Sequence, residues 1–392
     1  MKKLLVLGAA SAQIPLIKTA KKLGCYVGVV DYDPKAPAIE FADEYFERSL
    51  LDVEGIVALS RSFRPNGITC GASDVGVMAA AYVCEELHLD GLSLEVANTV
   101  RDKVAMIRAF ENNNVAHPKY QVLDTFASDI MVGFPAVTKP IDNCGSRGIS
   151  IAYSKADLRK ALENSFACSK DGRVIVEEYL DGPEVSVEIL VQNCEPYVLQ
   201  VTDKITSGEP HFIEIGHSQP SQLPIPDIKA ISELAYNATK AVGVKDGCCH
   251  AEIRLTSNGP KMIEIAGRLG GDFITTVLLP ISTGVNICEY EILRALGEPK
   301  KFDPLCVIDG PGVAVKFIKT KQGTVKSVTS EYVAEEMAGV KEIKLDCQLG
   351  VRYGNAVNNS NRFGYVIATG KTPQIALEMC DKALRRIRIE TE

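Results

Sequence analysis

Short apolar segments alternate with a helix-like stretch over the first seventy residues of the chain. Lys3–Leu7, Tyr26–Val30 and Gly67–Cys70 are compact apolar segments that predict buried strands. Ile14–Leu23 lies between the first two segments and has its apolar residues at helical spacing. Because strands that alternate with helices usually pair in parallel, the pattern predicts an α/β unit built on a parallel sheet.

Further strand signals follow, joined by connections rich in glycine and proline. Leu94–Asn112 has the apolar spacing of a single long helix. Phe134–Pro140 predicts a strand that ends at its last proline, and a loop of small residues at 142–150 leads into the next strand. Arg173–Glu178 predicts an apolar strand, and Glu184–Glu188 predicts an alternating one after an Asp-Gly-Pro turn. Glycine-bearing connections of this kind let a backbone approach a ligand closely.

Two acidic strands near residue 250 form the most informative pair of predicted elements. Ala251–Leu255 and Lys261–Ala266 are separated by Thr-Ser-Asn-Gly-Pro, which predicts a hairpin. In an antiparallel pair joined there, Glu252 and Glu264 project from the same face, and carboxylates resist such proximity unless a cation lies between them. Mg²⁺ prefers oxygen ligands and leaves positions for substrate phosphates, so the pair predicts a metal site that serves ATP. Two solvent-facing glutamates of an ordinary hairpin would give the same pattern.

The last third of the chain changes from alternating elements to several strands followed by one helix. Gly312–Ile318, Val340–Leu345 and Phe363–Thr369 predict strands, and Pro373–Arg386 predicts the final helix. This order is typical of α+β organisation. We therefore expect a closing sheet that packs beside the sheet carrying the two glutamates.

Two connections in the middle of the chain could hold a nucleotide. Glycines in the 142–150 loop let the backbone approach a polyphosphate, and Lys139 and Arg147 could neutralise its charge. A plain hairpin tip would look the same, and the loop is not a Walker loop because no Gly-Lys-Ser or Gly-Lys-Thr precedes a helix. The exposed backbone from Glu178 onward offers both a donor and an acceptor, as an adenine edge requires, and Glu184 could accept hydrogen bonds from ribose hydroxyls.

Composition narrows the partners and the compartment. The 392 residues carry a net charge of −7, which gives no general attraction to nucleic acid or to an anionic membrane. Twelve cysteines are scattered without a repeated spacing, as expected for a reducing cytoplasm rather than for a disulfide framework. No apolar run approaches the roughly 20 residues that span a bilayer, and the run at the start is too short for a secretory signal. We therefore expect a soluble, cytoplasmic protein.

Two further clusters have alternative interpretations. Cys248-Cys249-His250 could ligate a metal, but neighbouring residues on a strand point to opposite faces, which favours a structural role. The turn Gly8–Gln13 lies where a dinucleotide fingerprint would lie, and Asp31 lies where its ribose-binding acid would follow. These positions predict a Rossmann-like domain at residues 1–98. Two of the three fingerprint glycines are missing, so a nicotinamide dehydrogenase is the weaker alternative.

The order of these parts resembles the ATP-grasp superfamily of carboxylate–amine ligases. The shared features are a lysine on a helix, a lysine before a glycine-bearing loop, a Glu-Glu-Tyr-Leu hinge with a glutamate four residues past its leucine, and two late glutamates. Gly216–Pro220 and Ile263–Gly271 are most similar to the L-amino-acid ligase branch. Biotin carboxylase, carbamoyl-phosphate synthase and phosphoribosylglycinamide synthetase are similar relatives with the same nucleotide machinery.

The resemblance implies ATP as the nucleotide and a role for each matching residue. The phosphates would be bound by two lysines and by a loop that folds over them. The base and the ribose would be bound by the hinge, in part through its backbone atoms. The implied ATP contacts are Lys103, Lys139, Gly145, Ser146, Gly148, Glu177, Glu178, Leu180 and Glu184.

The implied fold adds an ATP-grasp small, or lid, domain at residues 99–186 and a large C-terminal domain at 187–392. In this fold Glu252 and Glu264 would bind one or two Mg²⁺ ions, with Mn²⁺ as an alternative. Many relatives supply an asparagine as a further ligand two residues past the second glutamate, where this chain has Ala266. That departure leaves the two-metal coordination open.

The implied reaction joins a small-molecule carboxylate to an amine, with amino acids as the expected substrates. The carboxylate would attack the γ-phosphorus of ATP, giving ADP and an acyl phosphate, and the amine would then displace phosphate. Arg268 would anchor the acyl phosphate or a substrate carboxylate, because a guanidinium group matches either geometry with two hydrogen bonds. His217 resembles the family's substrate-loop histidine, and Lys204 would reach the same pocket. The surface of the closing sheet could build a homodimer contact.

Three alternatives stay open at this point. A ligase of the phosphoribosylglycinamide synthetase or carbamoyl-phosphate synthase type would use the same machinery, although no second loop can be assigned to a sugar phosphate. A non-catalytic regulatory protein would bind ATP without turning it over. A dehydrogenase would bind a nicotinamide cofactor instead.

Overall fold

The computed structural model describes residues 1–127, 130–142, 147–209, 212–328, 337–359 and 361–392. Within these ranges the chain builds a four-stranded parallel sheet, a four-stranded antiparallel sheet, an eight-stranded antiparallel sheet and a small three-stranded sheet. The predicted α/β organisation with an α+β C-terminal part is confirmed. Across the described ranges, every helix is too short or too polar to cross a lipid bilayer.

Four parallel strands and three helices form the N-terminal unit. They are β1 (Lys3–Leu7), α1 (Ile14–Lys22), β2 (Tyr26–Asp31), β3 (Glu44–Glu47), α2 (Val53–Phe63), β4 (Gly67–Cys70) and α3 (Asp74–Leu87). The strand order is β3-β2-β1-β4. Leu4 and Val6 of β1 pack in one apolar cluster and Leu5 and Leu7 in another, so both faces of the sheet are covered. Coverage on both faces explains why the strands are continuous apolar segments.

The prediction of one continuous helix over residues 94–112 is wrong. The segment forms α4 (Leu94–Arg101) and α5 (Lys103–Asn112), separated by Asp102 in an extended conformation with φ −86° and ψ 112°. The Asp102 carboxylate accepts hydrogen bonds of 2.8 and 3.0 Å from the backbone N–H groups two and three residues later, and so caps α5. The apolar periodicity continues across the break, which hides it from the sequence pattern. The break makes Lys103 the first residue of a new helix.

A small antiparallel sheet with one helix follows. Its elements are β5 (Tyr120–Leu123), β6 (Ala136–Pro140), β7 (Ser150–Ala152), α6 (Lys155–Cys168) and β8 (Val174–Glu178). The strand order β5-β8-β6-β7 places β8 between β5 and β6. The 142–150 loop connects β6 to β7, as predicted. Gly145 and Ser146 of that loop lie outside the described residues.

The first part of the large sheet contains the predicted acidic hairpin. Its elements are β9 (Glu184–Gln192), β10 (Glu195–Thr206), β11 (Glu214–Gln219), α7 (Ile225–Ala241), β12 (Gly247–Thr256), β13 (Gly259–Ala266), α8 (Leu279–Thr283) and α9 (Ile287–Ala295). The hairpin is confirmed as the antiparallel pair β12–β13. Cys248 and Cys249 pack in different apolar clusters, as expected for neighbours on a strand that is covered on both faces. The domain boundary predicted after residue 186 falls inside β9.

The C-terminal strands extend the large sheet instead of forming a separate sheet beside it. The elements are β14 (Gly312–Lys319), β15 (Gly323–Val328), β16 (Val340–Leu345), β17 (Arg352–Tyr353), β18 (Arg362–Gly370), α10 (Pro373–Leu384) and β19 (Ile389–Thr391). The predicted strands and final helix are present, but the order β13-β12-β9-β10-β11-β14-β18-β16 makes one continuous sheet. The expectation of a separate closing sheet is therefore wrong. The remaining strands form the order β17-β15-β19.

Candidate active site

A cleft of about 700 Å³ lies where the N-terminal unit, the small sheet and the large sheet meet. Most of the residues singled out from the sequence line it, although they come from three different parts of the chain. His217 lies behind the wall, in contact with lining residues, and Gly145 and Ser146 lie outside the described residues. The predicted residues that line the cleft are Lys103, Lys139, Gly148, Glu177, Glu178, Leu180, Glu184, Lys204, Glu252, Glu264 and Arg268.

The two acidic residues of the hairpin face each other across the strands. Glu252 on β12 is the direct register partner of Glu264 on β13, and a β-bulge follows Glu252. Both side chains are partly exposed to the cleft, at 28% and 29%. Lys204 Nζ lies 3.2 Å from Glu252 Oε1, and Lys103 Nζ lies 3.5 Å from Glu264 Oε2, so each carboxylate has a balancing cation. A pair of carboxylates beside a cleft is a donor set that fits Mg²⁺.

A buried ion pair connects β6 and β8 at the cleft. Lys139 Nζ on β6 lies 2.7 Å from Glu177 Oε2 on β8, and both side chains are only 7% exposed. The other oxygen, Glu177 Oε1, is buried and has no hydrogen-bond partner within the described residues. A buried acceptor left unpaired is costly, so this atom fits a ligand donor such as the amino group of adenine.

Glu178 connects the hinge at residues 177–180 to neighbouring parts of the chain. Its carboxylate forms an ion pair with Lys261 on β13 and accepts a 3.0 Å hydrogen bond from the N–H of Lys119. Burial would raise the pKa of this carboxyl, but Lys261 and the backbone N–H outweigh it and lower the pKa. The N–H of Glu178 donates to the carbonyl of Lys119 at 2.9 Å, so Glu178 can offer adenine its carbonyl oxygen but not its N–H.

Lys204 connects three carboxylates of the cleft wall. Its Nζ lies 2.6 Å from Glu184 Oε1, 3.2 Å from Glu252 Oε1 and 3.4 Å from Glu214 Oε1, and its side chain is 2% exposed. Burial disfavours the charge, but the three carboxylates hold the pKa of Lys204 well above its ordinary value. Lys204 therefore stays an ammonium group, and the same charge lowers the pKa of Glu252 to about 2 against the opposing effect of burial.

His217 belongs to an ion network behind the substrate end. Its Nε2 lies 3.2 Å from Glu214 Oε2 and 3.4 Å from Asp272 Oδ2, and Arg362 Nη1 lies 2.9 Å from the same Asp272 oxygen. Ligand atoms of Glu214, His217 and Asp272 lie within 4.8 Å of one another, a spacing that would suit a metal. Because Lys204 and Arg362 already supply two positive charges to these carboxylates, the arrangement is explained without an ion.

Arg268 lies between the large sheet and the N-terminal unit. Its Nε and Nη2 atoms both lie 2.7 Å from Asp74 Oδ1, at the start of α3, and its Nη1 donates to the carbonyl of Leu269 at 3.1 Å. Burial disfavours the guanidinium charge, but Asp74 outweighs it and raises the pKa of Arg268. The guanidinium lines the cleft with a counterion already in place, and its role at the acyl phosphate stays a prediction.

Sequence reasoning missed several charged residues around the cleft. Glu214 lies three residues before His217, and Asp272 directly follows the Gly-Gly pair that ends the Ile263–Gly271 motif. Both residues therefore lie next to motifs that the sequence analysis used. Arg362 comes from β18, and nothing in its local sequence points to the cleft. His250 lines the cleft two residues before Glu252, although the sequence pattern favoured a structural role over metal ligation for its cluster with two cysteines.

Two family models match the chain. An ATP-grasp domain matches residues 132–276, and L-amino acid ligase C-terminal domain 2 matches residues 316–392. The two matches do not overlap, and together they span more than half of the chain.

Curated relatives are similar at modest identity. Formate-dependent phosphoribosylglycinamide formyltransferase from Prochlorococcus marinus (strain MIT 9313) is 24% identical over 413 residues, which cover 99% of this chain and 98% of that protein. Alanine–anticapsin ligase from Bacillus subtilis (strain 168) is 26% identical over 246 residues, which cover 56% of this chain and 52% of that protein.

A solved structure has the same fold over the whole chain. L-amino acid ligase from Bacillus licheniformis matches with a TM-score of 0.86 and 20% identity, covering 100% of this chain and 99% of that chain. At this identity the likeness shows the shared fold alone. The substrates of this chain have to be inferred from its own residues.

Proposed function

Because the chain belongs to the ATP-grasp family of ADP-forming carboxylate–amine ligases, we propose that it joins two amino acids through an acyl phosphate. One observation carries the proposal. A single cleft gathers two buried lysines, a hinge with an unpaired buried acceptor, and two opposed glutamates. These are the groups that a polyphosphate, an adenine and a divalent cation require.

The residues present fit ATP and a divalent cation. Lys103 and Lys139 would hold the phosphates, Glu177 and the hinge backbone the adenine, and Glu184 the ribose. Glu252 and Glu264 would hold Mg²⁺ or Mn²⁺, which when bound neutralises phosphate charge. Because each of these glutamates is now balanced by a lysine, we expect Lys103 to exchange Glu264 for phosphate oxygens when nucleotide binds.

Chemistry in this cleft would depend on alignment and charge neutralisation. A carboxylate oxygen is already a competent nucleophile, so it attacks the γ-phosphorus while the bond from that phosphorus to the ADP oxygen breaks. Lys103 and Lys139 neutralise the transferring group, and Arg268 binds the acyl phosphate oxygens. The neutral amine nitrogen then attacks the acyl carbon, phosphate departs with the electrons of the broken bond, and the nitrogen loses one proton to solvent.

The charge at the substrate end supports amino acids over a sugar phosphate. Glu214, Asp272 and Asp74 line the cleft there, and the nearby cations Lys204, Arg268 and Arg362 are already paired with carboxylates. An acidic wall attracts a protonated amine and repels a phosphate. A phosphoribosylglycinamide-type ligase is the second candidate, because the formyltransferase relative matches this chain over nearly its whole length.

The proposal includes a cytoplasmic location and a homodimer. All eleven cysteines of the described ranges are free, as a reducing compartment requires. Leu305 and Ile308 are large apolar residues that are 90% and 56% exposed, which suits a surface covered by a second copy. Sedimentation of the full chain would test the dimer.

The proposed reaction is tested by ADP release. Amino acids would be supplied singly and in pairs, with glycinamide and ribosylamine donors in parallel. ADP release that needs a carboxylate and an amine together supports the ligase, and the donor that works separates the two candidates. ATP binding without ADP release under every combination would favour a non-catalytic protein instead.

The metal assignment makes a sharper prediction. Glu264→Gln keeps the size of the side chain but removes one of the two opposed charges, so we expect amine-dependent ADP release to be lost while the circular dichroism spectrum is unchanged. The matched control is Glu163→Gln, which changes an exposed glutamate on α6. Unchanged turnover in Glu264→Gln would refute the assignment.

A further inference from the structure

The proposed function leaves one buried histidine of the cleft unused. His250 lies on β12 two residues before Glu252, so both side chains project from the same face of the strand. In the hairpin register its direct partner on β13 is Ala266. The Ala266 side chain has no polar atom, so it offers no ligand to an ion on this face. The histidine therefore lies opposite a residue that cannot bind the ion through its side chain.

The orientation of the His250 ring is fixed by a buried carboxylate. Glu188 on β9 is fully buried, and its Oε1 lies 2.6 Å from His250 Nδ1. Thr275 Oγ1 donates to the other Glu188 oxygen at 2.7 Å. Nδ1 is the ring nitrogen that donates to the Glu188 oxygen, and Nε2 is the ring nitrogen that faces Glu252. A carboxylate behind a histidine is the usual support of a metal-ligating imidazole.

The backbone of Gly270 packs closely against His250 and Thr275. A Cβ atom at Gly270 would lie 2.6 Å from His250 Nδ1 and 2.5 Å from Thr275 Oγ1, distances that no real side chain tolerates. The backbone therefore packs directly against the hydrogen-bonded group. The imidazole thus has the Glu188 carboxylate and the Gly270 backbone beside it, and it lines the cleft.

The remaining nitrogen is at ligand spacing from the first metal glutamate. His250 Nε2 lies 3.7 Å from Glu252 Oε1, which is too long for a hydrogen bond. Two ligand atoms that each lie about 2.1 Å from one ion are separated by roughly 3.0 to 3.6 Å in common geometries. A small movement of the partly exposed Glu252 side chain would close the difference.

We propose that His250 Nε2 is a third protein ligand of the ion held by Glu252 and Glu264, and that it shifts the preference of the site from Mg²⁺ toward Mn²⁺. The inference rests on the proposed function, since it concerns the same ion. Mg²⁺ prefers an all-oxygen shell, whereas first-row transition ions bind imidazole nitrogen more tightly. The nitrogen supplies a ligand on the face where Ala266 offers none.

Pulsed electron paramagnetic resonance of Mn²⁺ with ADP bound to the full chain tests the proposal directly. The protein would carry ¹⁵N-labelled histidine, so that histidine nitrogen is distinguished from nucleotide nitrogen. The expected result is a ¹⁵N coupling that disappears in His250→Gln. The controls are His217→Gln and His88→Gln, the latter at the exposed histidine that follows α3, and in both the coupling should persist.

Metal affinity supplies a second readout that does not need turnover. His250→Gln is expected to weaken Mn²⁺ binding about tenfold, the lower end of what loss of a ligand-supporting interaction produces, and to weaken Mg²⁺ binding less. Adding Ala266→Asn to that variant supplies an oxygen ligand, so Mg²⁺ binding should recover more than Mn²⁺ binding. Thermal unfolding of each variant shows whether the fold is kept.

The possible outcomes distinguish failure of this inference from failure of the proposed ligase function. Tight Mn²⁺ and ADP binding without histidine coupling in the unmutated protein overturns the ligand role and leaves the ligase intact. Loss of the coupling in His217→Gln or His88→Gln, with His250→Gln unchanged, also overturns it. Failure of Mn²⁺ and ADP to bind at all overturns the proposed function together with the inference.

Discussion

Lys204 carries one positive charge that three carboxylates share, and each carboxylate serves a different end of the cleft. Glu184 would bind ribose, Glu252 the metal, and Glu214 supports His217. Buried charges are tolerated only when paired, so this lysine keeps the cleft acidic without leaving a carboxylate uncompensated. A ligand that draws one of these glutamates away changes the balance at the other two. The three ends of the site are thus electrostatically coupled through one residue.

Stability should depend on pH through His217. Burial lowers the pKa of this imidazole, but hydrogen bonds to Asp272 and Glu214 outweigh it and raise the pKa above its ordinary value of 6.5. A group whose pKa is higher in the folded state stabilises the fold fully below the unfolded value, and this stabilisation is lost as pH rises through the folded value. We expect the advantage of the unmutated protein over His217→Gln in free energy of unfolding to shrink between pH 6 and pH 9.

Urea denaturation of the two proteins at both pH values measures this difference. Other shifted groups, including His250, are common to both proteins, so their contributions cancel to first order. An advantage that grows with pH would contradict the assignment of a charged His217.

Local pairings at the site could be predicted from sequence, and distant ones could not. Glu252 and Glu264 belong to one hairpin, so alternation and a turn signal were enough to place them opposite each other. His250 and Glu188 also meet on neighbouring strands, but 62 residues separate them and no local signal gives that register. The alternation of side chains along β12 does place His250 on the same face as Glu252. In the sequence, His250 was considered only together with the two cysteines before it, so this relation to Glu252 was overlooked.

At the scale of elements, the break between α4 and α5 has a functional consequence. We expect Asp102→Ala to lower the free energy of unfolding by about 1 kcal/mol, because it removes the cap of α5. Since Lys103 is the first residue of that helix, fraying of the helix start should also raise the KM for ATP. Unfolding curves and steady-state kinetics measure the two effects.

A matched control is available at the other helix. Ser93 caps α4 by accepting a hydrogen bond of 3.3 Å from the N–H of Val96. Ser93→Ala should give a similar stability loss while the KM for ATP stays unchanged. An equal rise of KM in both variants would mean that general destabilisation, rather than the position of Lys103, affects nucleotide binding.

The sequence pattern located the C-terminal strands but did not predict how they pair. The pattern located Gly312–Lys319, Val340–Leu345 and Arg362–Gly370 to within a residue or two. It could not show that β14 pairs with β11, because that contact joins residues about a hundred positions apart. The consequence is functional, since the continuous sheet brings Arg362 of β18 to Asp272 at the substrate end.

At the scale of the whole molecule, the cleft is a product of three units rather than a property of one. The small sheet supplies Lys139 and Glu177, the large sheet supplies Glu252 and Glu264, and the N-terminal unit reaches the cleft through Asp74. The ion pair from Asp74 to Arg268 links the N-terminal unit to the hairpin side of the large sheet. If Arg268 anchors the acyl phosphate, as proposed, its orientation depends in part on the N-terminal unit.

This link predicts an energetic coupling between the two units. Asp74→Asn leaves Arg268 almost buried without a counterion, and we expect a loss of about 2 kcal/mol in free energy of unfolding, less than for a fully buried pair because Asp74 is about one-third exposed. Arg268→Met in the Asp74→Asn background should cost less than the sum of the single changes, since the unpaired charge is gone. Lys326→Met is the control, because its pair with Glu392 is exposed and should contribute under about 0.5 kcal/mol. Strict additivity of the Asp74 and Arg268 variants would mean that this ion pair does not couple the two units, which would then be joined here by other contacts such as the 3.1 Å hydrogen bond from the N–H of Ala72 to the carbonyl of Leu269.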